Sequence, residues 1–158
     1  MAFKNGDDKG ARNDMALGSL FGGLALANAG LGAVHGFAAP IGGLFSAPHG
    51  SVCAALLPHA MQVNFDALRE RDPNSSFLKR FDELGTLLTG NPAAKARDAI
   101  AFVAELCERL KVPKLGIYGI GREHFDPLCE RAAASSSMKA NPIQLTPTEL
   151  RQILQHAA

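Results

Sequence analysis

Residues 15–65 read MALGSLFGGLALANAGLGAVHGFAAPIGGLFSAPHGSVCAALLPHAMQVNF, and between Asp14 and Asp66 there is no Asp, Glu, Lys or Arg. A run that long without charge is either the buried heart of a domain or a membrane-embedded segment, since charges are costly to take out of water. Met15 to Val34 has the length that crosses a hydrocarbon core, and Gly18 and Gly22 have the small-x-x-x-small spacing of close packing in lipid. Against a span stand five glycines, Asn28 in the middle, and the lack of basic or aromatic anchors at either end. A second span from Ile41 to Phe65 is interrupted by Pro48, His49, Pro58 and His59. The stretch therefore reads as a helix whose small-residue faces are packed closely by its own protein, with no membrane as partner.

Outward from that run the chain reads as amphipathic helices. Asn74, Ser75 and Ser76 are N-cap residues for a helix carrying Phe77, Leu78, Phe81, Leu84 and Leu88 and ending near Gly90. Asn91-Pro92 restarts a helix whose apolar stripe is Ala96, Ile100, Val103, Cys107 and Leu110, and Pro113 stops it soon after Lys111. Leu115 to Gly121 reads as a loop, a short helix follows from about Glu123 to Ala134, and residues 135–144 connect to the last helix. That helix has a capping box, Thr146-Pro147-Thr148-Glu149. Period-2 alternation is missing and β-branched residues are few, so the expected fold class is all-α, a helical bundle-like domain over residues 1–158.

Composition narrows the function classes. A net charge of +1 offers no electrostatic footprint for nucleic acid, and one Tyr with no Trp offers little for stacking bases. The three cysteines, Cys53, Cys107 and Cys129, form no C-x-x-C pair; the odd count argues for a reducing, cytoplasmic setting with structural thiols. The charged first fourteen residues are not a secretory leader. No G-x-G-x-x-G, P-loop or G-x-S-x-G motif is present, so no catalytic or cofactor-binding residue is assigned within the chain.

The sharpest signal is that three of five histidines, His35, His49 and His59, fall inside the uncharged run. Neutral imidazole tolerates burial and is the commonest metal ligand. His35 is placed near the C-terminal end of the long apolar helix and His49 at the start of the next. A loop of about a dozen residues containing Pro40, Gly42 and Gly43 joins them. Two imidazoles from consecutive helices can converge on one ion. Such a site normally has three or four protein ligands. The residues four before each histidine are Leu31, Phe45, Ala55, Ile120 and Gln152, none of them a carboxylate. His124 and His156 read as solvated.

Residues 28–43, N-A-G-L-G-A-V-H-G-F-A-A-P-I-G-G, with Pro48-His49-Gly50 and Leu57-Pro58-His59 beyond, resemble the signature region of the iron-containing (group III) alcohol dehydrogenases. Asn64 and the N-P-x-x-L-T pattern from Asn141 to Thr146 extend the similarity over nearly all 158 residues, against the C-terminal part of a family member. The resemblance implies an all-helical domain of the dehydroquinate synthase-like C-terminal type. That domain holds an ion, usually Fe²⁺ and sometimes Zn²⁺, through an Asp and three His. His35 and His49 match two of those ligands. The Asp and the remaining His belong to an upstream D-x-x-x-H segment that these residues do not contain, and NAD(P) belongs to an upstream α/β domain. The substrates implied are small alcohols or aldehydes. Many members carry a further His, four residues after the first ligand, that helps relay the alcohol proton or position substrate; here that position is Ala39. His59 is assigned to packing rather than to the ion. The implied activity is NAD(P)-dependent alcohol–aldehyde oxidoreduction, with the isolated chain inactive. The alternative is a non-catalytic helical module associating with itself as a homo-oligomer or with a separate N-terminal half.

Overall fold

A computed structural model describes residues 2–158. The described residues form seven α-helices and three short 3-10 turns, with no strand, as the all-α reading expects. The uncharged run becomes three helices. Helix α1 (Lys9–Ala29) starts at Asp8, whose carboxylate accepts the Ala11 N–H at 3.0 Å. It ends at Gly30, where φ is 76°, a left-handed turn that suits glycine. The chain then turns through 103° into α2 (Ala33–Leu44).

Two expectations fail in this region. His35 is not at the C-terminal end of the long apolar helix but in the first turn of α2. The stretch around Pro40, Gly42 and Gly43, expected as a loop, is the body of that helix. Proline and glycine disfavour helix locally. Ala33, Gly36, Phe37, Ala38 and Ile41 are nevertheless all buried, and packing of that face outweighs propensity.

The expectation that α1 is packed by its own protein also fails. Not one of its residues is buried, and Leu20 and Phe21 are each 58% exposed. No single helix among the described residues is long and apolar enough to cross a membrane; α1 and α2 together have the length and composition but are bent by 103° at their junction.

Helix α3 (His49–Arg71) is the spine of the molecule, with buried residues from Val52 to Leu68. On one side of it lies the hairpin of α4 (Ser76–Thr89) and α5 (Ala96–Arg109). Gly90 closes α4 in the left-handed conformation, as the sequence suggests. The start of α5 falls later than the expected Asn91-Pro92. The Asn91 side chain instead accepts the Ala93 N–H at 3.0 Å to form a turn. Asp98 and Asp82 then cap the helix by accepting the N–H groups of Lys95 and Ala96, at 2.7 and 3.0 Å. Helices α6 (Phe125–Ala134) and α7 (Pro147–Ala157) pack on each other, α6 also against α2 and α7 against α3. The Thr146 capping box of α7 is formed: Glu149 accepts the Thr146 N–H at 2.6 Å, and Thr146 Oγ1 accepts the Glu149 N–H at 3.2 Å.

The main core joins Phe37 and Ile41 of α2, Val52 and Leu56 of α3, Phe125 and Leu128 of α6, and Ile153 and Leu154 of α7. A smaller one, Phe65, Ala96 and Ile100 with Phe81 against them, fastens the α4–α5 hairpin to α3.

Candidate metal centre

The N-terminus of α2 is held by an amide pair far apart in sequence. Asn141 Oδ1 accepts the Ala33 N–H at 2.9 Å, which satisfies one of the free N–H groups that every helix start carries. Asn141 Nδ2 in turn donates to Asn64 Oδ1 at 2.6 Å and to the Ile143 carbonyl at 2.7 Å. Asn64, the one buried polar side chain described, also donates to the Ala60 carbonyl of its own helix at 2.9 Å. A Cβ at Gly32 would stand 2.8 Å from Asn141 Oδ1, so a larger residue would push aside the amide that holds α2. This network joins α2 to α3 and sets the direction in which His35 leaves the first turn.

His49 is the first residue of α3, directly after Pro48, whose fixed φ of −60° sets the entry of the chain. The two imidazoles converge: their ring centroids are 5.4 Å apart, with the planes inclined at 51°. His35 is half-buried and His49 exposed, so the pair is reachable from solvent. Burial, and second the neighbouring His49, hold the pKa of His35 below its ordinary value, which favours the neutral imidazole that a metal ligand must be.

A third side chain lies beside the pair. Cys53, expected to be structural, places Sγ 3.5 Å from His49 Nε2 and 3.9 Å from His35 Nε2. Among the described residues this trio is the group of His, Cys, Asp or Glu side chains whose ligand atoms can meet one ion, all lying within 4.8 Å of one another. The signal lies in the spacing: no residue four before a histidine is of a ligand type, whereas Cys53 lies four residues after His49. Burial pushes the Cys53 thiol above its ordinary pKa. Two imidazoles and a sulfur fit a transition ion such as Fe²⁺, Co²⁺ or Zn²⁺ and do not fit Mg²⁺ or Ca²⁺, which take oxygen donors.

The other histidines lie outside this group. His59 is half-buried on α3 with its ring 5.7 Å from that of His156. Burial first, then His156 and Lys114, lower its pKa. His156 is exposed, as expected, but His124 is only half-exposed: its Nδ1 accepts the Gly121 N–H at 3.1 Å and its ring packs edge-on against Phe45. Ala39 is exposed one helical turn after His35 and brings no proton-carrying group to the site.

Known proteins resemble the chain along its whole length. The profile of the Fe-containing alcohol dehydrogenase family, C-terminal, matches residues 1–158. The chain is 32% identical over 157 residues to alcohol dehydrogenase 4 of Saccharomyces cerevisiae, covering 99% of this chain and 39% of that protein. It is 33% identical over 141 residues to lactaldehyde reductase of Escherichia coli, covering 88% of this chain and 36% of that protein. A crystal structure of 1,3-propanediol oxidoreductase superposes with a TM-score of 0.87 at 31% identity, over 99% of this chain and 40% of that one. An alcohol dehydrogenase from Oenococcus oeni gives 0.84 at 34% identity, with the same coverage. The chain thus spans about 40% of the length of the relatives it matches. With a profile match over its full length and a helical fold shared with these dehydrogenases, the chain belongs to the iron-containing alcohol dehydrogenase family and corresponds to its C-terminal domain.

Proposed function

We propose that the chain is the metal-holding domain of an NAD(P)-dependent oxidoreductase of small alcohols or aldehydes, with His35 and His49 as ligands and Fe²⁺ or Zn²⁺ as the ion. The observation that carries this is the convergence of the two imidazoles, 5.4 Å apart, from the starts of two consecutive helices. When bound, such an ion polarises an alcohol or carbonyl oxygen as a Lewis acid. The chain's own residues do the rest. His35 and His49 hold the ion as neutral donors, and Asn141 and Asn64 keep the first turn of α2 in register with α3. The exposed edge of His49 leaves an approach for the substrate oxygen. Ala39 cannot carry a proton, so water or another group takes the alcohol proton. The nicotinamide and the two remaining ligands of the family pattern are supplied by an N-terminal α/β part, and the setting is cytoplasmic.

Anaerobic calorimetric titration of the 158-residue chain with Fe²⁺ or Zn²⁺ tests this. One ion per chain is expected, with affinity lowered about a hundredfold or more in His35→Ala and in His49→Ala. Unchanged affinity in either variant rejects the ligand assignment.

Association with a further polypeptide surface has its own support. Helix α1 is apolar nearly all round from Met15 to Ala27 yet wholly unburied, whereas a helix of that composition belongs inside a protein. Leu17, Leu20, Phe21 and Leu24 fall at helical spacing and are each 50–58% exposed. An N-terminal half covers this face in the two-part arrangement; without it, copies of the chain cover it for one another. The purified chain is therefore expected to sediment as an oligomer, and the double substitution Leu20→Glu, Leu24→Glu to sediment as a monomer. Identical sedimentation of the two would remove α1 as the associating surface.

A further inference from the structure

Cys53 has no part in the ligand pattern the family implies. It lies one helical turn after His49, and side chains on a helix lean toward its N-terminus. Its Sγ therefore comes back over the turn that carries His49 and meets His35 arriving from α2. Its sulfur stands 3.5 Å from His49 Nε2 and 3.9 Å from His35 Nε2, so one atom faces a ring nitrogen of each imidazole. A tetrahedral ion, with metal–nitrogen bonds of about 2.0–2.1 Å and a metal–sulfur bond of about 2.3 Å, separates its donors by roughly 3.3–3.7 Å. The Cys53–His49 edge already has that length. The remaining edges lie within 4.8 Å and close by small rotations of the side chains, one of them the exposed His49.

From this geometry we propose that Cys53 is itself a metal ligand, so that the chain presents a two-imidazole, one-thiolate site; the inference rests on the ligand role of His35 and His49 argued above and deepens it. On binding, the thiol gives its proton to solvent and the sulfur electron pair goes to the ion, while both imidazoles stay neutral. The site then carries one negative charge against the two positive charges of the ion. In the 158-residue chain water takes the fourth position; the upstream Asp and His of the family pattern would raise the protein donors to five. A soft thiolate biases such a site toward Zn²⁺ and Co²⁺ over Fe²⁺.

Cobalt chloride is the probe, because a Co²⁺–thiolate bond has a charge-transfer absorption in the near ultraviolet that Co²⁺–imidazole lacks. Anaerobic titration of the 158-residue chain is expected to develop that band to one Co²⁺ per chain. Cys53→Ala and the closer isostere Cys53→Ser are expected to lose the band and to bind Co²⁺ about tenfold or more weakly, with unchanged far-ultraviolet circular dichroism. Cys107→Ala, at a thiol that donates to the Ala54 carbonyl instead, keeps the band. A second measurement on the unsubstituted chain needs no folded variant: at a pH where both imidazoles are already neutral, one proton is released per Co²⁺ bound. Binding that depends on His35 and His49 but shows no thiolate band and no proton release overturns the role of Cys53 and leaves the imidazole pair standing. A band that survives in Cys53→Ala also overturns it. Absence of any Co²⁺ binding overturns both readings.

Discussion

Phe37→Ala is expected to destabilise the chain by about 3–5 kcal/mol, the usual cost of removing a buried phenylalanine, and to weaken ion binding as much as His35→Ala does without touching a ligand. Phe37 has no exposed surface and lies two residues after His35, on the face by which α2 enters the main core. A loss of that size is a large share of the about 5–15 kcal/mol that holds a domain together. It also falls where local structure has least support of its own. With Pro40, Gly42 and Gly43 in twelve residues, α2 is helical because it is packed, not because its sequence favours helix. A weakened anchor lets α2 open before the rest of the molecule does, and His35 departs with it. Denaturant titration should show a lower midpoint at an unchanged slope, and calorimetry a loss of affinity comparable to that of His35→Ala. An alanine variant with the midpoint and affinity of its parent would refute the dependence of the site on α2 packing.

Gly85→Ala is expected to be nearly as damaging and to leave the metal centre intact. A single Cβ on Gly85 of α4 would overlap the Lys95 carbonyl oxygen and stand 2.8 and 2.9 Å from the Lys95 backbone C and N. Those are backbone atoms at the N-cap of α5, held by Asp98 and Asp82, so they cannot turn aside as the end of a flexible side chain can. The two helices must separate, and Phe81 of α4 then draws away from Phe65 of α3, whose ring centroid is 5.7 Å from its own. Overpacking of this kind costs typically about 1–3 kcal/mol, and the backbone contact places Gly85→Ala at or above the top of that range. The hairpin is fastened to α3 through the smaller core, whereas His35, His49 and Cys53 belong to the start of α3 and to α2. A lower thermal midpoint with unchanged ion affinity is therefore the expected pair of results. An unshifted midpoint would mean that α4 and α5 are less closely seated than this geometry has them.

These two substitutions also separate what is legible in the residues from what is not. Two helices have the ends that their punctuation marks: α4 runs from Ser75 at the N-cap position, where no side chain caps it, to Gly90, and α7 starts at the Thr146–Glu149 box, whose hydrogen bonds form within four residues. The imidazoles of His35 and His49 were marked because ionisable side chains stand out in a run that otherwise has none. A cap made within its own turn is local, as composition is, and a sequence carries it; the caps that Asp82 gives to α5 and Asn141 gives to α2 are not.

Tertiary structure alone decided the rest. It made a helix of the Pro40–Gly43 region, because the burial of Phe37 and Ile41 outweighs the local preferences of proline and glycine. It left α1 bare although its composition is that of a core helix, because an apolar surface is buried only if a partner surface lies opposite, and no described residue supplies one. It also brought Cys53 to the imidazoles. The spacing from His49 puts both residues on one face of α3, but the approach to His35 depends on how α2 is seated, through Asn141 and Asn64, against its neighbour. What the residues by themselves determined is the set of possible helices and possible ligands. Which of them meet was settled by contacts between residues distant in the chain, since a donor set is a matter of distances in space, and those are fixed only when the core closes.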